Sequence, residues 1–219
     1  MPIRDFEGST FVAFLDISGF KELMRIEEKA WFALDRLYQS GYDILKNSRS
    51  VEGLFVSDSG ILFVRDGDNL LNRFDALLKV IQQINRDMLE AGYLLTTSIA
   101  FGEFKYQERI EFPGIGKSPI YGNAYVQAYM DNSSGSPKIE PGFCRLVVQN
   151  LPRDFSIEQN DHNLPSTLQF LRKRNGDKWH KYFYWNVNNP NSINDFEKEY
   201  TNSYQLKFEG MLKALRNHL

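Results

Sequence analysis

The first half of the chain passes from a continuous apolar run to a helical period and back to short apolar runs. Residues 10–15 (TFVAFL) are almost all apolar, which is typical of a buried strand. Apolar residues at spacings of three and four then predict one helix, or two with a break near Glu28, over residues 19–47. Ser18 is the predicted N-cap of this segment. The runs VEGLFV and GILFV predict a β-hairpin with Asp58 at its tip.

The second half of the chain predicts a similar mixture of elements. An amphipathic pattern predicts a long helix that starts at residue 69 and stops at Gly92. The remaining predictions, in chain order, are a strand over 93–104 broken by Gly102, a loop over 107–123, a short helix over 123–135 capped by Asn123, a strand over 142–151, an aromatic strand over 178–187 and a helix over 192–219.

This order of elements predicts an α+β fold in which helices cover one antiparallel sheet, mainly on one face. The beginning of the chain matches a ferredoxin-like split βαβ plan. No linker or repeat divides the sequence, so residues 1–219 are predicted to form a single domain. Its core spans about 8–190, and 192–219 form a C-terminal helical extension.

Composition and charge exclude several classes of partner. Hydrophobic residues make up 42% of the chain and the net charge is −2, so general binding to nucleic acid or to an acidic membrane surface is not expected. The absence of a signal-peptide pattern and the single cysteine, Cys144, predict a cytoplasmic protein without a membrane span and with Cys144 in the core. His162, His180 and His218 have no metal-ligand spacing, so no zinc site is expected.

Two carboxylates lie where the fold alone does not require them. Asp16 directly follows the first apolar strand, and Asp58 lies at the predicted hairpin tip. If the hairpin strands neighbour the first strand, the two carboxylates meet, and a divalent cation would relieve their repulsion. Taken singly, each is better explained structurally, Asp16 as a helix cap and Asp58 as a turn residue.

The residues that follow Asp16 are suited to phosphate. Backbone N–H groups from Ser18 to Phe20 open the predicted helix, and free N–H groups at such a start bind phosphate. Gly19 lets the backbone approach a ligand closely. Ligation by oxygen alone favours Mg²⁺ or Mn²⁺, which also bind phosphate oxygens. Together these features predict a site for a nucleoside triphosphate.

The joint pattern resembles the class III nucleotidyl cyclase domain. The resemblance rests on FLDISGF, SDSGILF, SIAFGEF and IYGNAYVQAYMDNSS, which occur in the family's order over roughly the first 135 residues. It implies that Asp16, Asp58 and the Ile17 carbonyl bind two divalent metals per site. It also implies a head-to-tail homodimer, in which the two aspartates of one chain and residues 120–129 of the other share each active site.

The sequence departs from this family at the positions that read a purine and stabilise the transition state. The family's Asn and Arg fall here on Val126 and Met130, and its adenine-reading lysine falls on Leu54. The purine-reading Asp falls near Pro119. Either the domain is inactive or it reads a different base. An active enzyme would need another cation in place of the family's Arg, and the candidates are Lys105, Arg109, Lys117, Arg174 and Lys178.

One branch of the family fits the second option. The GNAYVQAY helix and the DISGF form resemble the pyrimidine cyclases of the Pycsar antiphage system. This resemblance implies synthesis of cyclic UMP or cyclic CMP, with UTP favoured over CTP, and a separate effector that binds the product. The nucleotide-binding residues are then Ser18, Gly19, Phe20, Leu54, Asn123, Arg174 and Lys178.

Three alternatives remain open from the sequence. The domain could be an inactive cyclase-fold module that binds nucleotides or a partner, or a cyclase for ATP or GTP. It could also be an RNA-binding module with the same ferredoxin-like plan. Tyr121, Tyr125 and Tyr129 are spaced to share one helical face. The simpler hypothesis is that this face packs against the rest of the protein, and the more specific one is that a tyrosine stacks on a base.

Overall fold

Strand β1, Phe6–Ile17, lies at the centre of a mixed α+β fold. The computed structural model describes residues 3–112, 115–157, 165–172 and 176–183. The further strands are β2 (Val51–Val56), β3 (Ser59–Val64), β4 (Leu95–Tyr106), β5 (Arg109–Phe112), β6 (Ile115–Lys117), β7 (Ile120–Tyr121), β8 (Cys144–Val147), β9 (Leu171–Arg172) and β10 (His180–Phe183). The helices are α1 (Phe20–Leu23), α2 (Glu27–Asn47), α3 (Leu70–Glu90) and α4 (Asn123–Ser134), with a 3-10 helix over Ser166–Phe170.

The first half of the sheet follows the ferredoxin-like plan that the sequence predicted. Within the described ranges, eight strands form one sheet in the order β2-β3-β1-β4-β8-β10-β9, with β7 paired on β4. The segment β2-β3-β1-β4 is antiparallel throughout, which is the ferredoxin-like order. Strand β8 extends it by a parallel pairing with β4. The predicted α+β fold with a mostly antiparallel sheet is therefore confirmed.

Helices cover both faces of this sheet. Alternate residues of β1 point to opposite faces, so Phe11, Ala13, Leu15 and Ile17 pack with α2 and α3 in the larger core cluster. Val12 and Phe14 pack with α4 in a second cluster on the other face. Full burial of a Phe, Leu, Ile or Val side chain stabilises a fold by roughly 1.5–3 kcal/mol. The expectation of helices mainly on one face therefore holds for α2 and α3, while α4 covers the opposite face.

Two predicted helix caps are wrong, and glycine occupies both positions. Gly19, with φ +76°, precedes α1, so Ser18 lies outside the helix and does not cap it. Gly122, with φ +128°, precedes α4, so Asn123 is the first helical residue rather than the cap. In both places the chain turns through backbone conformations that favour glycine, and this requirement outweighs the capping preference of Ser and Asn.

The other local predictions divide in the same way. The helix break near Glu28 is confirmed, because residues 24–26 separate α1 from α2. Strand β4 is not broken at Gly102, since its pairing with β1 continues from Leu95 to Tyr106. The predicted loop over 107–123 contains the β5–β6 hairpin and β7 instead. The aromatic strand is confirmed over β10, and the helix predicted over 192–219 lies outside the described residues.

Two further expectations concern Cys144 and membrane-spanning helices. Cys144 is buried in β8 with a free thiol, which confirms its place in the core. None of the helices in the described ranges has both the length and the apolar character needed to cross a membrane.

Candidate functional site

Asp16 lies one residue before the end of β1, on the sheet face that α4 covers. Its register partners are Ser59 on β3 and Thr96 on β4. The Ser59 hydroxyl donates a hydrogen bond to Asp16 Oδ1 at 3.1 Å. The carboxylate is only partly exposed. The local strand alternation therefore places a carboxylate in a row of polar side chains, beyond the apolar positions of Val12 and Phe14.

Asp58 is brought to the same sheet edge by the turn between β2 and β3. The Ile17 amide donates a hydrogen bond to the Asp58 carbonyl at 3.0 Å, which fixes the hairpin tip against the end of β1. Ser57 adopts φ +54°, a left-handed conformation that glycine would adopt without strain. Ser57 stands at the position where the family resemblance has glycine, so the turn keeps the geometry expected there.

The electrostatics of the two aspartates favour a cation. Burial, and secondly the nearby charge of Asp58, raise the pKa of Asp16 to about 6, while the hydrogen bond from Ser59 lowers it. A carboxylate that is disfavoured by desolvation and by a like charge gains most from a bound positive ion. The structure therefore places the two predicted aspartate ligands close together. Ile17, the last residue of β1, is hydrogen-bonded to the hairpin tip beside them.

The oxygen donors at this edge suit a hard divalent cation with an incomplete set of protein ligands. Across the described residues, no group of three or more His, Cys, Asp or Glu side chains is placed to hold a metal ion. A cation held by Asp16 and Asp58 would therefore complete its shell with backbone, water or phosphate oxygens. Mg²⁺ and Mn²⁺ accept such a mixed oxygen shell.

The predicted phosphate-binding segment after Asp16 has one amide that is already bonded within the chain. The Ser18 amide donates to the Leu94 carbonyl at 2.8 Å, so this N–H is not free for phosphate, and that detail of the prediction is wrong. Among the described residues, no acceptor is present for the amides of Gly19 and Phe20. The Ser18 hydroxyl oxygen is buried without a hydrogen-bond partner in the described structure. Chain neighbours aside, no atom of the described residues lies within 4 Å of an added Gly19 Cβ, so a ligand has room beside this part of the chain.

The other predicted nucleotide-binding residues do not all lie at this edge. Leu54 is half-buried on β2, in the row next to Asp16, where its partner is Ile61. Asn123 is beside Gly102 of β4. Because Thr96 pairs with Asp16 and lies six residues from Gly102, Asn123 is about 20 Å away along the strand.

The candidate replacement cations are also dispersed. Lys178 is exposed in the turn before β10, beyond β4 and β8 from Asp16. Lys105 forms an ion pair with Glu7 and lies over the Tyr121 ring. Arg174 and the side chains of Arg109 and Lys117 lie outside the described residues. No single described cation of this set is placed beside the two aspartates within the same chain.

The outer face of α4 is apolar at the positions where the family carries its Asn and Arg. Val126 and Met130 are each 52% exposed. The Tyr121 and Tyr129 rings are also exposed, whereas Tyr125 packs partly against the core and stacks on Tyr129. Tyr121 lies in β7 rather than on the helix, so the prediction that the three tyrosines share one helical face is wrong for it. The packing interpretation holds for Tyr125 and for Tyr129, whose ring meets that of Phe14 edge-on at 5.3 Å between centroids.

Sequence reasoning missed a second cluster of charged residues under the C-terminal half of α4. Asp131, Arg145, Asp177 and His180 form a hydrogen-bonded group there. Arg145 is fully buried although it lies in the apolar run FCRLVV. An arginine inside such a run is the one signal that could have indicated a buried ionic group.

Comparisons with known proteins identify the fold. No family model and no curated protein matches the sequence. A double mutant of the guanylyl cyclase domain of the RhoGC fusion protein from Blastocladiella emersonii matches with a TM-score of 0.55 and 16% identity, over 82% of this chain and 95% of that one. The guanylate cyclase domain of RhGC from Catenaria anguillulae, solved with GTP, matches with a TM-score of 0.52 and 14% identity, over 83% and 97%.

A third solved structure gives the same result. The catalytic core of a rhodopsin–guanylyl cyclase with converted specificity, solved with ATPαS, matches with a TM-score of 0.54 and 16% identity, over 82% of this chain and 96% of that one. The chain therefore has a nucleotide cyclase fold of the adenylyl and guanylyl cyclase type.

Proposed function

We propose that this protein is a metal-dependent cyclase that converts a pyrimidine nucleoside triphosphate, UTP before CTP, into its 3′,5′-cyclic nucleotide and pyrophosphate. The observation that carries this proposal is the convergence of Asp16 and Asp58 at one sheet edge, where burial and mutual repulsion raise the pKa of Asp16 to about 6. A nucleotide cyclase fold supports the same reaction class.

The chain's own groups would act by binding and orienting the substrate. Asp16, Asp58 and the Ile17 carbonyl would hold two Mg²⁺ or Mn²⁺ ions, which lower the pKa of a hydroxyl and neutralise charge on phosphate when bound. The amides of Gly19 and Phe20 and the hydroxyl of Ser18 would hold phosphate oxygens. The ribose 3′-hydroxyl would give its proton to water and attack the α-phosphorus, and the bond from that phosphorus to the β-phosphate oxygen would break to release pyrophosphate.

Base selection is proposed from the side chains that replace the purine-reading groups. Leu54 is apolar and half-buried on the same sheet face as Asp16, so it offers no hydrogen bond to a purine edge. The family's purine-reading Asp falls near Pro119, which also has no side-chain donor or acceptor. A site without purine-specific donors and acceptors favours a smaller base, and the resemblance to Pycsar cyclases points to uracil or cytosine.

A homodimer with shared sites is part of the proposal. Asn123, at the start of α4, is about 20 Å from Asp16 of the same chain, so a second copy would bring this end of its α4 to the acidic pair. The biological proposal is a cytoplasmic antiphage enzyme whose cyclic product is bound by a separate effector. Neither nucleic acid nor a membrane is a proposed partner.

The decisive experiment is a panel of the four ribonucleoside triphosphates, each with Mn²⁺ or Mg²⁺, followed by product mass analysis. We expect cyclic UMP, or cyclic CMP, together with pyrophosphate.

Asp16→Asn and Asp58→Asn should each lose turnover by about a hundredfold or more, because each removes a ligand charge. Asp43→Asn, at an exposed position on α2, is the matched control and should keep full turnover.

Other outcomes of the panel identify the alternatives. A purine product would replace the pyrimidine proposal with an ATP or GTP cyclase. If no triphosphate releases pyrophosphate, the protein is a non-catalytic module, an alternative that the apolar Val126 and Met130 favour. RNA affinity that falls with salt and survives Asp16→Ala would indicate an RNA-binding module.

A further inference from the structure

His180 lies between two carboxylates in the interior of the protein. Its Nδ1 is 2.8 Å from Asp177 Oδ2, and its Nε2 is 2.9 Å from Asp131 Oδ1. The His180 side chain is 5% exposed, and those of Asp131 and Asp177 are 9% and 3% exposed. Water is therefore largely excluded from both contacts, and the imidazole joins α4 to the turn before β10.

Arg145 completes the group from the neighbouring strand β8. Its Nε donates to Asp131 Oδ2 at 2.7 Å, and its Nη2 donates to Asp131 Oδ1 at 2.9 Å. The Ser98 hydroxyl of β4 donates to the same carboxylate at 2.6 Å. The Tyr182 hydroxyl of β10 donates to Asp177 at 2.6 Å. Asp131 is thus the point at which α4 contacts three strands.

The hydrogen-bond chemistry sets the charge of this cluster. An ionised carboxylate only accepts hydrogen bonds, so each ring nitrogen of His180 must carry a hydrogen to bond its partner. A doubly protonated ring is an imidazolium. With Arg145 it balances the charges of Asp131 and Asp177, and the buried group is neutral overall. Consistent with this, burial would raise the pKa of Asp131, but hydrogen bonds from His180 and Arg145 hold that pKa below its usual range.

We propose that His180 is a positioning residue, held as an imidazolium, that fixes the C-terminal half of α4 against strands β8 and β10. The contacts next to it connect this anchor to the acidic pair. Asn132 follows Asp131, accepts a hydrogen bond from Thr96 at 3.1 Å and faces the Phe14 carbonyl. Thr96 is the register partner of Asp16.

The consequence for turnover rests on the proposed function. If the partner's α4 completes each active site, its orientation affects the reacting geometry, whereas Asp16, Asp58 and the phosphate segment lie on other elements. Loss of the anchor should therefore reduce kcat more than it changes KM.

The charge state is tested by ¹H–¹⁵N correlation of the imidazole rings in histidine-labelled protein at pH 7. We expect both nitrogens of His180 to show the protonated pattern, assigned by its loss in His180→Gln. A neutral tautomer, with one unprotonated ring nitrogen, would overturn the imidazolium assignment. This spectrum requires neither substrate nor turnover, so its outcome does not depend on the proposed function.

Positioning is tested by amide hydrogen exchange over residues 123–134. His180→Gln should speed exchange there by about tenfold, the effect of losing roughly 1.4 kcal/mol of local stability. Tyr182→Phe, which removes one hydroxyl contact to Asp177 but no charge, is the matched control and should have a smaller effect. Unchanged exchange in a folded His180→Gln protein would overturn the positioning role.

Turnover provides the second readout. In an active wild-type enzyme, His180→Gln should lower kcat by about tenfold and leave KM within about twofold. An equal loss through KM would contradict the link between α4 and turnover. A wild type that turns over no triphosphate refutes the proposed function, while the spectrum and the exchange rates still decide the role of His180.

Discussion

At the scale of single residues, Asp16 carries a charge where the folded chain alone disfavours one. Its pKa is raised from 3.8 to about 6, chiefly by burial and next by Asp58. Because the pKa is higher in the folded state, the protonated acid favours folding. Its contribution to the free energy of unfolding is full below the pKa of the unfolded state and is lost as the pH rises through the pKa of the folded state. The penalty therefore develops between about pH 4 and 6 and persists at neutral pH.

Asp16→Asn should consequently stabilise the metal-free protein at neutral pH. One pKa unit corresponds to about 1.4 kcal/mol, and partial solvent screening reduces the total gain to roughly 1–2 kcal/mol at pH 7.5. Urea unfolding in a chelating buffer measures this gain, which should vanish at about pH 3.5. Asp43→Asn on exposed α2 is the control and should show no such gain. A gain that does not vary with pH would contradict an electrostatic origin.

Residue-level prediction succeeded where a side chain interrupts a clear pattern. Asp16 and Asp58 were found because each carboxylate breaks an apolar run or occupies a tight turn. His180 was missed because its partners, Asp131 and Asp177, are 49 and 3 residues away, so spacing gave no metal or ion-pair pattern. The Ser18 amide was assigned wrongly because its acceptor, Leu94, is brought near only by the folded sheet.

At the scale of elements, the start of α4 depends on a backbone conformation that side chains disfavour. Gly122 has φ +128° and ψ +157°, a region occupied almost only by glycine. A Cβ there would lie 2.3 Å from the Glu103 carbonyl oxygen, so β4 leaves no space for it. Only glycine therefore fits at position 122, where the first turn of α4 packs against the sheet.

Gly122→Ala should destabilise the fold by about 3 kcal/mol or more, because backbone strain and the contact with Glu103 act together. Gly92→Ala is the matched control. Gly92 also has positive φ, at +83°, but within the described ranges no non-neighbouring atom lies within 4 Å of an added Cβ. Its cost should be only about 1–2 kcal/mol. Equal losses for the two variants in urea unfolding would show that the Glu103 contact is unimportant.

Elements with a long, regular period were predicted well from the sequence. The 21-residue helices α2 and α3 each keep one apolar face over many turns. The β5–β6 hairpin was predicted as a loop because its strands have only four and three residues and adjoin the Pro and Gly residues at 113–114. The alternation of Ile110 and Phe112 with polar residues spans only four positions, and β6 has none, so the pattern is too short to predict a hairpin.

At the scale of the whole molecule, the topology separates the two halves of the proposed site. The order β2-β3-β1-β4 brings Asp16 and Asp58 to one edge, as the ferredoxin-like plan predicted. The same sheet holds Asn123 near the other end of β4, about 20 Å away. Sequence order along the chain could not give this distance, because it depends on the register of β1 with β4.

A complementation experiment tests whether two copies share each site. Asp16→Asn damages the acidic half, and Val126→Glu places a charge on the exposed outer face of α4 without entering the core. We expect each variant alone to be inactive. A heterodimer purified from co-expressed, differently tagged chains should regain turnover, because one of its two sites combines intact acids with an unmodified α4. The paired control is Asp16→Asn with Asp58→Asn, which damages the same half of every site. That heterodimer should stay inactive, and equal activity of the two heterodimers would refute the shared site.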